Sequence, residues 1–208
     1  MRQTTPETND HSMRNTGGKP ALRILQYNVN KSRNKVLAAL LEDQRLKTYD
    51  VIAVQEPWRN PFDSQGYNPR DSGFHLIDQK RADSRVSIYI NKQISEDIWT
   101  ETIHSPDLLT VSVRRAGEQY EVINIHNIYN PPPPSHNETR EKGTLPYLQH
   151  ALRMPGAHIV VGDFNLHHPL WCAPEYKYQH TLAEDVLTSM RDAGLELALP
   201  PEIIIREA

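Results

Sequence analysis

Residues 160–168 read VVGDFNLHH. Ala157 and Ile159 stand just upstream, so a run of mostly β-branched apolar residues meets, within a few positions, an Asp, an Asn and two His. Such a run predicts a short interior strand, and Gly162 marks a turn or a close backbone approach. The polar cluster therefore sits at the carboxyl end of a strand. In α/β folds sites are built at such ends, because side chains there are held rigidly at a crevice and still meet solvent and substrate. The competing reading of this stretch is an Asx-type turn followed by two solvated histidines.

The pattern recurs upstream. ALRILQYNVN (21–30) predicts a strand with Ile24 and Leu25 in an apolar run that ends at Asn28 and Asn30. From Lys35, the spacing of Val36, Leu37, Leu40 and Leu41 predicts an amphipathic helix ending near Leu46. YDVIAVQEPW (49–58) then predicts a buried strand that turns from apolar to ionisable at Glu56, with Pro57 ending the ladder. The order is strand, helix, strand, with polar residues at the exits. In the middle, SRVSIYIN, DLLTVSVRR and QYEVINIHNIYN alternate with period two, which predicts antiparallel, half-buried strands. NPPPPSHNE reads as a rigid extended loop after Tyr129 and Asn130. TLPYLQHALRM aligns Leu145, Leu148 and Leu152 on a helical face, with Pro146 tolerated in the first turn. TLAEDVLTSMRDAG predicts a helix stopped by Gly194, and LELAL one more strand.

Composition sets the outer bounds. With 208 residues, 38% hydrophobic and 24% charged, the chain is long enough for one domain with a substantial core. We expect residues 1–20, polar and punctuated by Gly and Pro, to form a flexible tail, and 21–208 to form the domain. The lone Cys172 excludes an intramolecular disulfide and fits a reducing, intracellular compartment. No stretch approaches the roughly 18 apolar residues of a membrane span. A formal charge of −3 gives no bulk attraction to polyanions, so any nucleic acid must meet a local patch.

Collected together, the polar strand ends are Asn28, Asn30, Glu56, Tyr129, Asp163 and Asn165. Two carboxylates and several amides supply hard oxygen ligands and a base without a thiol, which suits Mg²⁺ or Mn²⁺ better than zinc. Phosphoryl transfer uses these parts: a metal neutralises phosphate charge, a carboxylate orients or deprotonates water, and neutral donors hold the oxygens. A zinc reading would use His167, His168, Cys172 and His180, whose spacing matches no familiar zinc module. Trp58 and Trp171 could stack on bases or cap the core.

QYNVN, VQEPW, NIYNP and GDFNLHHPLW, in that order and with strand-rich spacers, resemble the endonuclease/exonuclease/phosphatase superfamily. Within it the sequence is most similar to the endonuclease domain of LINE-type (non-LTR) retrotransposons. The resemblance implies an α+β fold of four layers, a deoxyribonuclease I-like sandwich of two packed mixed β-sheets flanked by helices. It also implies roles. Glu56 would bind the divalent cation with Asn28 beside it, and Asn30 would line the same pocket where many relatives carry Asp. Tyr129 would hold the scissile phosphate. Asp163 would orient or deprotonate the attacking water, and Asn165 would support the phosphate and departing oxygen. His126, His167 and Trp171 would border the DNA groove.

One departure matters. Relatives follow a stretch like LPPEIIIREA with a strand carrying Ser/Thr-x-Asp and then a Ser-Asp-His triplet; no such strand follows it here, and no Ser-Asp-His or equivalent occurs in these 208 residues. The resemblance thus implies a sandwich lacking its last strands and a site short of two carboxylates and a His. Two function classes follow: an Mg²⁺-dependent nuclease leaving a 3′-hydroxyl and a 5′-phosphate, and an inactive, nucleic-acid-binding remnant of one. A phosphoinositide- or sphingolipid-directed branch is a third, opposed by the His-His-Pro-Leu-Trp loop. The resemblance implies DNA as the partner and a place within a larger retrotransposon polyprotein, with nuclear localisation if the chain is functional and so derived.

Overall fold

The computed structural model describes residues 21–32, 34–62, 64–115, 121–132, 143–172 and 181–198. The expected tail at 1–20 lies outside them. Eight strands form two four-stranded sheets. The first contains β1 (Ile24–Asn28), β2 (Val51–Gln55), β3 (Phe74–Ile77) and β4 (Val86–Asn91) in the order β1-β2-β4-β3. The second contains β5 (Trp99–Ser105), β6 (Leu108–Arg115), β7 (Glu121–Tyr129) and β8 (Ala157–Asp163) in sequence order. Both sheets are mixed: β1/β2 and β7/β8 run parallel and the other pairs antiparallel.

The sheets pack face to face. Val51, Val86, Ile88 and Ile90 of the first meet Leu109, Val111, Ile123 and Ile125 of the second in one buried cluster. The alternate residues of the first sheet, among them Ile52, Val54 and Tyr89, face outward beneath Leu37 and Leu41 of helix α1 (Asn34–Glu42). On the far side Leu108 and Ile128 pack beneath Leu148 and Ala151 of α2 (Leu145–Ala151), and Met190 of α3 (Thr181–Asp192) joins them. The four expected layers are present.

Three expectations need correction. The strands read as half-buried are covered on both faces over most of their length, since β4 and the first six residues of β6 are buried throughout. Polar residues on their outward faces find partners: the Ser112 hydroxyl donates to Asn124 at 2.7 Å, and Asn91 Nδ2 donates to the Tyr49 carbonyl at 3.0 Å. The first helix stops at Glu42 rather than near Leu46. Asp43 breaks it by capping a 3-10 turn, Gln44–Thr48, through the Arg45 N–H. LELAL is not a strand in its described residues, 195–198. β3 and β5 were missed, the first for its brevity and the second because WTETIHS is mostly exposed and polar.

Candidate active site

β1, β2, β7 and β8 bring their carboxyl ends together. Asn28 ends β1, Glu56 follows β2, and Tyr129 and Asp163 end β7 and β8 as register partners. The two sheets are joined at this end by Asn28 Nδ2, which donates to Asp163 Oδ2 at 2.7 Å. The other carboxylate oxygen, Oδ1, accepts the Asn165 N–H at 3.0 Å. Both bonds fix the plane of the carboxylate.

Local backbone geometry aims these groups. Asn165 and Asn30 hold φ near +48°, a left-handed conformation that Asn tolerates. Asn165 Nδ2 then donates to the Asn130 carbonyl at 2.8 Å, while the Asn130 N–H donates to the Asp163 carbonyl at 2.7 Å. The Asn30 N–H donates to Asn28 Oδ1 at 2.8 Å, holding that amide so that its nitrogen faces Asp163. Glu56 adopts φ +49°, an uncommon conformation for Glu and one held from both sides. Its N–H donates to the Arg85 carbonyl at 2.8 Å and its carbonyl accepts the Lys31 N–H at 2.9 Å.

Tyr129 links the two carboxylates. Its hydroxyl is hydrogen-bonded to Glu56 and its ring senses the charges of both Glu56 and Asp163. Burial, and then the Glu56 carboxylate, push the phenol well above its ordinary value, so Tyr129 stays a neutral donor. The Arg85 guanidinium lies 4.9 Å from the centre of this ring, and Arg85 Nε donates to Asp107 Oδ1 at 2.6 Å. Asn28, Asp163 and Asn165 thus form one hydrogen-bonded set beside Glu56 and Tyr129, with Asn30 at its margin.

The remaining expected site residues lie elsewhere. His126 is fully buried on the outer face of the second sheet, bonded to Thr110 and His158, so it borders no groove. An even-numbered β7 residue faces away from Tyr129 because side chains alternate across a strand. Trp171 is half-buried on the Leu166, Ala183 and Val186 cluster and donates through Nε1 to the Leu166 carbonyl at 2.8 Å. It caps core. His167 is exposed, with its Nδ1 3.6 Å from Cys172 Sγ. In the zinc reading, His168 has Nε2 3.0 Å from Glu184 and Nδ1 accepting from the Leu170 N–H, while His180 lies outside the described residues. No cluster of three or more metal-ligating His, Cys, Asp or Glu side chains occurs among the described residues.

Sequence reasoning missed the support beneath the site. Gln55 Nε2 donates to Asn127 Oδ1 at 2.5 Å, and Asn127 Nδ2 donates to the Val54 and Ser87 carbonyls at 3.0 and 2.9 Å, bridging the sheets. Gln26 Nε2 donates to Gln55 Oε1 at 2.5 Å. The available signal was the amides inside apolar runs, one in VIAVQ and two in INIHN.

The donor set fits a small hard cation. One or two carboxylates and an amide, completed by water and substrate phosphate, are what Mg²⁺ takes, and a three-carboxylate cage is not required. Glu56 is the buried carboxylate available for it, with Asn28 and Asp163 adjoining.

Comparison with known proteins agrees with the fold. No curated protein sequence gives a significant match. Two solved structures share the fold. An endonuclease/exonuclease/phosphatase family protein from Leptotrichia buccalis C-1013-b matches with TM-score 0.51 and 17% identity over 81% of this chain and 73% of its own. The APE2 catalytic domain of Xenopus laevis matches with TM-score 0.52 and 15% identity over 83% of this chain and 65% of its own. The model of the Endonuclease/Exonuclease/phosphatase family matches residues 25–177, from β1 through the Asp163 segment, and the chain belongs to that family.

Proposed function

We propose that these residues form the phosphodiesterase site of a DNA endonuclease that depends on Mg²⁺ or Mn²⁺ and derives from a LINE-type retrotransposon, where it would work in the nucleus as part of a larger polyprotein. The observation that carries the reading is the hydrogen-bonded set Asn28–Asp163–Asn165 beside Glu56–Tyr129, drawn from four strand ends and both sheets.

The roles follow from what each group has left to offer. Asp163 uses one lone pair on each oxygen to accept from Asn28 and from Asn165 and keeps capacity to align and deprotonate a water. Tyr129, held neutral, donates to a phosphate oxygen once substrate competes with Glu56 for its proton. Asn165 keeps one amide hydrogen after bonding Asn130 and directs it at the departing oxygen. Glu56 would hold the cation with Asn28 beside it; when bound, the ion neutralises charge on the phosphate. Asn30, exposed at the rim, would line the substrate pocket.

The 208 residues contain no Ser-Asp-His segment, and loss of one donor to developing charge costs roughly 10²–10³ in rate. Assayed alone, this chain should nick supercoiled plasmid near background. Extended with a relative's Ser-Asp-His segment, it should nick in Mg²⁺, stop in EDTA, and stop in Asp163→Ala. Absence of Mg²⁺-dependent nicking in the extended chain, or its persistence in Asp163→Ala, would overturn the assignment. Robust nicking by the unextended chain would show that other residues fill the missing role.

A further inference from the structure

A second polar constellation crosses the outer face of the second sheet, away from the site. Each strand gives one residue: His104 from β5, Thr110 from β6, His126 from β7 and His158 from β8. Thr110 and His126 are cross-strand partners and fully buried. Thr110 Oγ1 lies 2.9 Å from His104 Nε2 and 2.7 Å from His126 Nδ1, and His126 Nε2 lies 2.9 Å from His158 Nδ1. The last two rings are 15° from parallel. His104 reaches the row through a bulge. Ile103 pairs with Leu109 and Ser105 with Leu108, leaving His104 as the extra residue, and a bulge re-aims its side chain.

The links constrain one another. A neutral imidazole has one donor and one acceptor, and a hydroxyl has one proton. Joined nitrogen to nitrogen, His126 and His158 must carry their protons on the same ring atom, both on Nε2 or both on Nδ1. With both on Nε2, the Thr110 hydroxyl donates to His126 and His104 must carry its proton on Nε2; with both on Nδ1, the hydroxyl either donates to His104 or accepts from both rings. The states with all three rings on Nε2 or all three on Nδ1 interconvert when His104 Nδ1 takes up a proton, each link passes one proton along, and His158 Nε2 releases one.

We propose that His104, Thr110, His126 and His158 form a proton-coupled clasp across the four strands, closed while its rings are neutral and opened by acid. Among the described residues, every charge that acts on the row is another imidazole: His150 of α2 adds to His104, His158 and His104 add to His126, and no carboxylate offsets a cation. Burial holds His104, His126 and His158 below the ordinary histidine value, His126 down to about 3. His158 also bonds the Met154 carbonyl, tying the turn between α2 and β8 to the sheet. That bond favours the charged ring and survives acid; acid breaks the ring-to-ring link instead and so loosens the hold of β7 on β8, the strand that ends at Asp163.

The sign is that of a base with a lowered pKa: stability is complete above about pH 6.5 and falls as pH drops toward 3. For His126 alone, acidifying from pH 8 to 5 raises the unfolding constant about 30-fold. The test uses the full 208-residue chain with ¹⁵N-labelled histidine. At pH 7.5 the rings of 126 and 158 should share one tautomer, and Thr110→Val should uncouple His104 from both. Urea unfolding of His126→Gln should lack about 30-fold of the wild-type change between pH 8 and 5. Unlike tautomers at His126 and His158 in the wild type, or His126 titrating near 6.5, would overturn the clasp whether or not the variants fold, as would an unchanged pH dependence in His126→Gln.

Discussion

Replacing Gly162 by Ala tests the fold and the site with one methyl group. Gly162 pairs with Ile128 in the β7/β8 ladder at φ +142°, where an L side chain is strained at about 1–3 kcal/mol. An added Cβ would overlap the Ile128 carbonyl oxygen outright and stand 2.8 Å from its carbon and 2.9 Å from Ile128 Cγ2. The obstacle is backbone, so β8 must retreat from β7 by more than half an ångström. The bond from the Asn130 N–H to the Asp163 carbonyl, now 2.7 Å, is the first to lengthen. Two weakened ladder bonds add about 1–3 kcal/mol, bringing the cost to roughly 2–6 kcal/mol. For a domain of this size, that lowers Tm by on the order of 10 °C. Gly73→Ala is the control. A Cβ there meets no atom within 4 Å, so the change should stay within about 0.5 kcal/mol. Urea unfolding followed by circular dichroism measures both. If Gly162→Ala falls within 1 kcal/mol of wild type, the close approach of β8 to β7 is wrong, and with it the placement of Asp163.

Three further outcomes follow. Asn127→Leu leaves the buried Gln55 amide without its acceptor and removes a donor from two carbonyls, so urea unfolding should show a loss of about 2–5 kcal/mol. Tyr89 and Tyr129 both have raised phenol pKa values, chiefly from burial, so their stabilisation is complete below about pH 10 and lost as pH rises above it. Tyr89→Phe should therefore flatten the alkaline limb of the stability curve, and an unchanged limb would count against its burial. Weak Mg²⁺ binding at Glu56, with Kd near 1 mM, should add about 1.4 kcal/mol at 10 mM Mg²⁺, or roughly 3–5 °C in Tm. Glu56→Gln should abolish that gain, and micromolar affinity by calorimetry would contradict the weak site.

The four motifs, in order, were enough to specify the family fold, because each joins a buried strand to a polar exit and that arrangement is written in consecutive residues. IAVQE, NIY and VVGD place Glu56, Tyr129 and Asp163 at strand ends by local periodicity alone. Which face a neighbouring residue takes was less legible. His126 lies three residues before Tyr129 and was expected at the groove, yet the alternation of β7 and the His104 bulge turn it into a buried row on the opposite face. Trp171 carries the same lesson, since only the packing of α3 against Leu166 shows that its ring covers core. The bridge from Gln55 to Asn127 spans 72 positions in sequence, and the bond from Asn28 to Asp163 spans 135. Local pattern determines strands and their exits; contacts between sheets depend on register and on the packing of two faces, and these are decided only when the sheets meet.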